Sequence, residues 1–154
     1  MNKIAQIFET LEYGPARETA DQANAWLDSK NRTFGHFIDG AWTAPGKTFA
    51  STNPATGEKL ADITDGTAAD VDLAVAAARA AFPLWSGLSG YERGKFLYSI
   101  ARMIQKHSRL FAVLETMDNG KPIRESRDAD IPLVARHFYH HAGWATHLDR
   151  EFPD

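Results

Sequence analysis

The sequence contains no cysteine and only three methionines among its 154 residues. Without cysteine there is no disulfide framework, no thiolate nucleophile and no thiolate metal ligand. Long apolar runs are missing too. The N-terminal "MNKIAQIFETLEYG" is broken by Gln6, Glu9 and Glu12 before it could form a signal-peptide core, and no stretch approaches a membrane span. Charge of one sign is also scarce. Lys and Arg number 17 against 20 Asp and Glu, for a formal charge of −3, and the two signs are interspersed. Nucleic acid and anionic membranes usually demand a basic face, so neither is expected as a partner. The eleven glycines are scattered, with no Walker-A run, no G-x-G-x-x-G and no G-x-S-x-G elbow. A soluble, cytoplasmic protein is the expectation.

What is present is an apolar fraction of 44%, enough for one domain with a core. Residues 1–30 read as two helical pieces around Gly14-Pro15. Ile4, Ile7, Phe8 and Leu11 share one face, and Ala20, Ala23, Trp26 and Leu27 another. From Phe34 to Asp62 the character turns to strand. Asp39-Gly40 between short apolar runs predicts a hairpin, because both turn positions tolerate φ > 0. "STNPATGEKL" contains a second turn, "KLADIT" can return as a strand, and Pro54 is unsuited to a central strand.

After Thr67 the pattern is helical. Thr67 with Asp70, and Ser89 with Glu92, predict capped helix starts. Val71, Ala74, Val75, Ala78 and Phe82 line one helix face; Phe96, Leu97, Ile100, Met103 and Ile104 predict a buried stripe on the next. Ser108 is a candidate cap for a third helix, carrying Leu110, Phe111, Leu114 and Met117 and ending at Asn119-Gly120. A final helical region spans about 123–147. Pro132 suits a first turn, so a restart capped by Asp130 is expected there. The fold class is α+β: an N-terminal helical segment, a small β-hairpin region and then a helical layer.

One cluster could bind a metal. His137 and His141 are four apart in "RHFYHH", with His140 beside them, and imidazoles at that spacing can chelate a divalent ion. The glutamate of a metalloprotease helix is absent, and only His147, Asp149 or a distant carboxylate could complete the shell. Packed or solvated histidines are the plainer reading.

The order of motifs adds more. "FIDGAWTAP", "STNPATGEKLADITDGTAADVDLAVAAARAAFPLWSGLSGYERG", "LETMDNGKPIRES" and "YHHAGWA" follow one another from Phe34 to Ala145. This series resembles the opening of an NAD(P)-dependent aldehyde dehydrogenase. "IFETLEYGPA" with "DIPLVARHFYHHAGWA" is most similar to the bacterial form of the family's sixteenth branch.

The resemblance implies an oxidation of aldehydes to acids through a cysteine thioester, with hydride passing to NAD or NADP. It implies an extension over residues 1–33, and over 34–154 the incomplete opening of a cofactor-binding domain. In the parent the helical layer would flank a Rossmann-like α/β sheet. The family's cysteine, oxyanion asparagine, glutamate and cofactor loop have no counterpart here. No catalytic or cofactor-binding residue is therefore assigned, and the chain alone is expected to be inactive and to bind no dinucleotide tightly. Asp118 and the carbonyl of Thr52 match positions that hold Na+ or K+ in many members, an oxygen set suited to a hard cation. Helix termination is the other reading of Asp118. Leu133 matches a substrate-tunnel position in some members, against a plain core role. The implied partner is the remainder of the enzyme, as a homo-oligomer, with a truncated chain, a proteolytic piece or a broken gene as its origin. Helix faces deprived of the family's sheet would expose an apolar patch. A non-catalytic binding module derived from the family is the alternative.

Overall fold

The structure is a computed structural model that describes Lys3 and residues 18–152. The first expected helix, with Ile4, Ile7, Phe8 and Leu11, lies outside the described residues. The second is α1 (Asp21–Ser29), which buries Ala23 and Leu27. After it Asn31 and Arg32 adopt φ of 51° and 46°, turning the chain sharply back. The Arg32 guanidinium then holds the bend. It donates to Asp28 Oδ1 at 2.6 Å, to Asn24 Oδ1 at 3.2 Å and to the Leu60 carbonyl at 3.1 Å.

Five short strands follow: β1 (Thr33–Phe34), β2 (Phe37–Ile38), β3 (Ala41–Trp42), β4 (Thr48–Thr52) and β5 (Lys59–Thr64). The three-stranded sheet has the order β1-β5-β4. β1 runs parallel to β5, with Thr33 opposite Asp62, and β4 runs antiparallel to it, with Phe49 opposite Ile63. β2 and β3 form the hairpin expected at Asp39-Gly40, whose φ values are 53° and 75°. Positive φ at both turn residues matches the right-handed strand twist. The β4–β5 turn is closed by Asn53: its side chain accepts from Ala55 N–H at 2.9 Å, and its N–H donates to the Glu58 carbonyl at 2.8 Å. Pro54 sits in this turn, outside any strand.

The helical part comprises α2 (Ala68–Ser86), α3 (Gly90–Lys106) and α4 (Ser108–Asn119). Both expected caps form: the Thr67 and Ser89 hydroxyls accept from the Asp70 and Glu92 N–H groups, and each carboxylate reaches back to its cap, so the Thr67 start is a full capping box like the one expected at Ser89. Ser108 is not a cap. It is the first helical residue of α4, preceded by His107, whose side chain makes no capping bond.

The last helical region also departs from expectation. α5 (Ile123–Glu125), a π-helical turn over Ser126–Asp130 and α6 (Ile131–Trp144) follow without a break. Asp130 has helical φ and ψ of −66° and −56° and caps nothing. The wider π turn contains Asp128, four residues before Pro132, where a proline ring would otherwise clash, so no restart is needed. The Asp130 carboxylate instead pairs with Lys121 Nζ at 2.5 Å. A short α7 (Leu148–Glu151) follows.

The core is built largely from small residues. α3 meets α6 through Gly90, Gly94 and Ala101, which are buried, as are Ala135 and Ala145 of the facing segment. A Cβ added at Gly94 would lie 2.8 Å from the Ala142 carbonyl oxygen. Close backbone approach thus replaces the buried stripe expected on α3: Phe96, Ile100 and Met103 point outward, 55%, 42% and 52% exposed. α2 buries no residue at all, and Val71, Val75 and Phe82 are exposed on it. The expected unpartnered apolar faces are present.

Candidate functional site

The Asp118 segment meets the β4 segment. α4 ends where Gly120 takes φ of 80°, a conformation open to glycine, and its N–H donates to the Thr116 carbonyl at 3.0 Å. Pro122 follows, leading into α5. A Cβ on Gly120 would come within 2.6 Å of Pro54 Cγ, so the cap lies directly on the β4–β5 turn. One residue before the helix end, Asp118 Oδ1 accepts a short hydrogen bond from the Ser51 hydroxyl. Thr52 is next to Ser51, and the β4–β5 register shifts between these two residues. A bulge interrupts the ladder and re-aims backbone groups.

The structure therefore brings two of the sequence-derived positions, Thr52 and Asp118, into one corner. Ser51 was missed by the sequence reading. The signal that could have found it is modest: a hydroxyl residue adjoining Thr52 on a strand whose turn touches the helix end. The second carboxylate oxygen of Asp118 has no protein donor among the described residues. The donors that the resemblance implies here, a carboxylate oxygen and a backbone carbonyl, are hard and would suit Na+ or K+ better than a soft metal. Behind the corner lies a cavity of about 370 Å3, walled by Trp26, Leu60, Ile63, Leu114 and Met117, with Ser51, Glu115 and Asp118 as its polar members.

Leu133 is elsewhere, on α6. It is 45% exposed, which does not fit a plain core residue of this chain. His137, His140 and His141 are also on α6 and exposed. His140 stacks edge-on with His141 at 5.2 Å between ring centroids and lies 6.2 Å from the Trp144 ring. The His147 ring meets Trp144 edge-on, with 6.1 Å between ring centroids. Among the described residues no three His, Asp or Glu side chains are placed to share a metal ion. The Asp149 side chain is outside the described part.

The helix starts bear on dinucleotide binding, because a free helix N-terminus is the usual seat of a pyrophosphate. Here the first turns of α2 and α3 already hold carboxylates. Hydrogen bonds from the Thr67 hydroxyl and N–H keep the Asp70 carboxyl below its ordinary pKa, and those from the Ser89 N–H and hydroxyl do the same for Glu92. Both are ionised at neutral pH and repel phosphate. These two helix starts are therefore closed to a phosphate group by their own capping carboxylates.

The described residues thus form a helical layer joined to a small mixed sheet, with apolar faces left exposed. The model of the aldehyde dehydrogenase family matches residues 42–153, and the chain belongs to that family. It is 47% identical over 113 residues to aldehyde dehydrogenase family 2 member B4, mitochondrial, of Arabidopsis thaliana, covering 72% of this chain and 20% of the relative. Among solved structures, HpcC from Thermus thermophilus superposes with a TM-score of 0.77 at 34% identity, over 86% of this chain and 27% of the other. The NAD+ complex of a Bacillus cereus aldehyde dehydrogenase gives a TM-score of 0.75 at 36% identity, over 82% and 26%. The chain thus carries a partial aldehyde dehydrogenase domain, spanning about a fifth to a quarter of the length of these relatives. Among the described residues no helix is long and apolar enough to cross a membrane.

Proposed function

We propose that this chain is the N-terminal portion of an NAD(P)-dependent aldehyde dehydrogenase of the kind found in the bacterial form of the sixteenth branch. Residues 1–33 are an N-terminal extension and 34–154 open the cofactor-binding domain. The observation that carries this reading is the family match over residues 42–153 combined with coverage of only 20% of a relative's length. The branch assignment rests on "IFETLEYGPA" and "DIPLVARHFYHHAGWA".

In this reading the chain supplies scaffold and no chemistry. Covalent aldehyde oxidation requires an activated nucleophile, and no cysteine is present. When bound to the complete enzyme, the dinucleotide accepts hydride; none of the residues described here holds it. The chain's own contribution is to present the exposed faces of α2 and α3, carrying Val71, Val75, Phe96 and Ile100, to the rest of the domain. The corner of Asp118 and Thr52 holds a monovalent cation, and Leu133 belongs to the wall of the substrate tunnel. The assembled enzyme is a homo-oligomer in the cytoplasm.

The test is reconstitution. The 154-residue chain alone oxidises no aldehyde with NAD+ or NADP+. A co-expressed polypeptide carrying the remaining family segments restores turnover, and failure of every such pairing in folded, co-purifying complexes would count against the reading.

A further inference from the structure

Asn119 is the one asparagine of the sequence followed by glycine; Asn2, Asn24, Asn31 and Asn53 precede Lys3, Ala25, Arg32 and Pro54. Its side chain is exposed, and its amide reaches only Glu115 Oε1, at 3.5 Å, among the described residues. Both neighbours, by contrast, are held. Ser51 bonds Asp118, while Gly120 lies against Pro54 with its N–H on the Thr116 carbonyl. We propose that Asn119 is a deamidation site whose reaction is restrained by the α4 cap and the docking of β4 against it.

The chemistry is self-contained. The Gly120 backbone nitrogen attacks Asn119 Cγ and loses its proton to solvent; the Cγ–Nδ2 bond breaks and ammonia departs, leaving a five-membered succinimide. Water then opens either C–N bond of the ring, giving aspartate or isoaspartate at 119. No electron transfer and no co-reactant beyond water are required. Glycine is the favourable successor because it has no Cβ to hinder the approach. In the folded chain Asn119 is the last helical residue, and the Gly120 N–H is engaged in the cap. Closure of the ring needs both the helical backbone and that hydrogen bond to be released, which is a local opening of the final turn.

The product would not fit back. It places a new carboxylate beside Asp118 and one turn from Glu115, at the helix end that already carries negative dipole charge. The isoaspartate form also lengthens the main chain by one carbon, moving Gly120 off its contact with Pro54. The modification therefore loosens the junction between sheet and helix irreversibly.

Peptide mass spectrometry on the full chain, incubated in mildly alkaline buffer with and without denaturing urea, tests this. In urea Asn119 converts well ahead of Asn24 and Asn31. In native buffer its conversion is at least about tenfold slower, because only opened molecules react. Ser51→Ala, which frees Asp118, speeds the native reaction several-fold and leaves the rate in urea unchanged. Equal rates in native buffer and urea, or no preference for Asn119 in urea, would overturn the proposal. Should Ser51→Ala fail to fold by circular dichroism, sub-denaturing urea on the unaltered chain decides. A rate that climbs before global unfolding supports cap opening, and one that only tracks global unfolding contradicts it.

Discussion

The Ser51 hydroxyl is hydrogen-bonded to the Asp118 carboxylate, joining the end of β4 to the last turn of α4 across 67 positions of sequence. This bond and the approach of Gly120 to Pro54 join the small sheet to the helical layer. Ser51→Ala should lower stability by about 1 kcal/mol, the usual net worth of one hydrogen bond. Urea denaturation measures it, and a midpoint equal to that of the unaltered chain would show that the bond holds nothing together.

The same corner predicts a salt effect. In the full-length enzyme proposed above, Na+ or K+ at constant ionic strength should raise the melting temperature relative to a bulky organic cation, and Asp118→Ala should abolish the difference. A salt response unchanged by Asp118→Ala would leave Asp118 with its bond to Ser51 alone.

Gly120 predicts a conformational cost. At φ of 80° a side chain is strained, and a Cβ would press on Pro54 at 2.6 Å. Gly120→Ala should therefore destabilise by at least about 1–2 kcal/mol, the penalty for an L-residue in the left-handed region. Gly94→Ala should cost about 1–3 kcal/mol for a different reason: overpacking against the Ala142 carbonyl oxygen. Gly143, where a Cβ would meet nothing, provides the control.

The helix caps predict a pH dependence with a definite sign. Asp70 and Glu92 have folded-state pKa values below their ordinary 3.8 and 4.5. Their contribution is complete above those ordinary values and disappears as pH falls through the lower folded ones. Asp70→Asn with Glu92→Gln should flatten the acid side of the stability curve. Thr67→Ala should cost about 1 kcal/mol at neutral pH by removing the cap itself.

These features were not equally legible in the sequence. The Asp39-Gly40 hairpin, the Thr67 and Ser89 caps and the Gly120 helix stop are determined within four or five residues, and each formed as read. The α3–α6 interface was misread because periodicity weights large apolar residues, whereas the contact is made by Gly90, Gly94 and Ala101. Phe96, Ile100 and Met103 kept the period of a buried stripe while facing outward. In the full-length enzyme proposed above, that stripe would be covered by the rest of the domain. Asp130 was misread because a helical Asp before Pro resembles a cap until its actual partner, Lys121, is seen across the turn. Ser51 could not be found from sequence since its partner lies far along the chain.

The exposed faces carry their own prediction. Apolar patches of this kind favour association, so Phe96→Glu with Met103→Lys should reduce self-association in analytical ultracentrifugation. The melting temperature should fall only slightly, because both side chains are about half exposed and Phe96 gives up one ring contact, with Trp85. A loss of folding would mean that α3 packs through this face after all.

We infer that this chain is part of an aldehyde dehydrogenase and does not itself oxidise aldehydes. The most direct test is NADH formation by the purified 154-residue protein supplied with NAD+ and acetaldehyde or a longer aldehyde. The account predicts no NADH above the protein-free control, and turnover that co-purifies with the chain and scales with its concentration would contradict it.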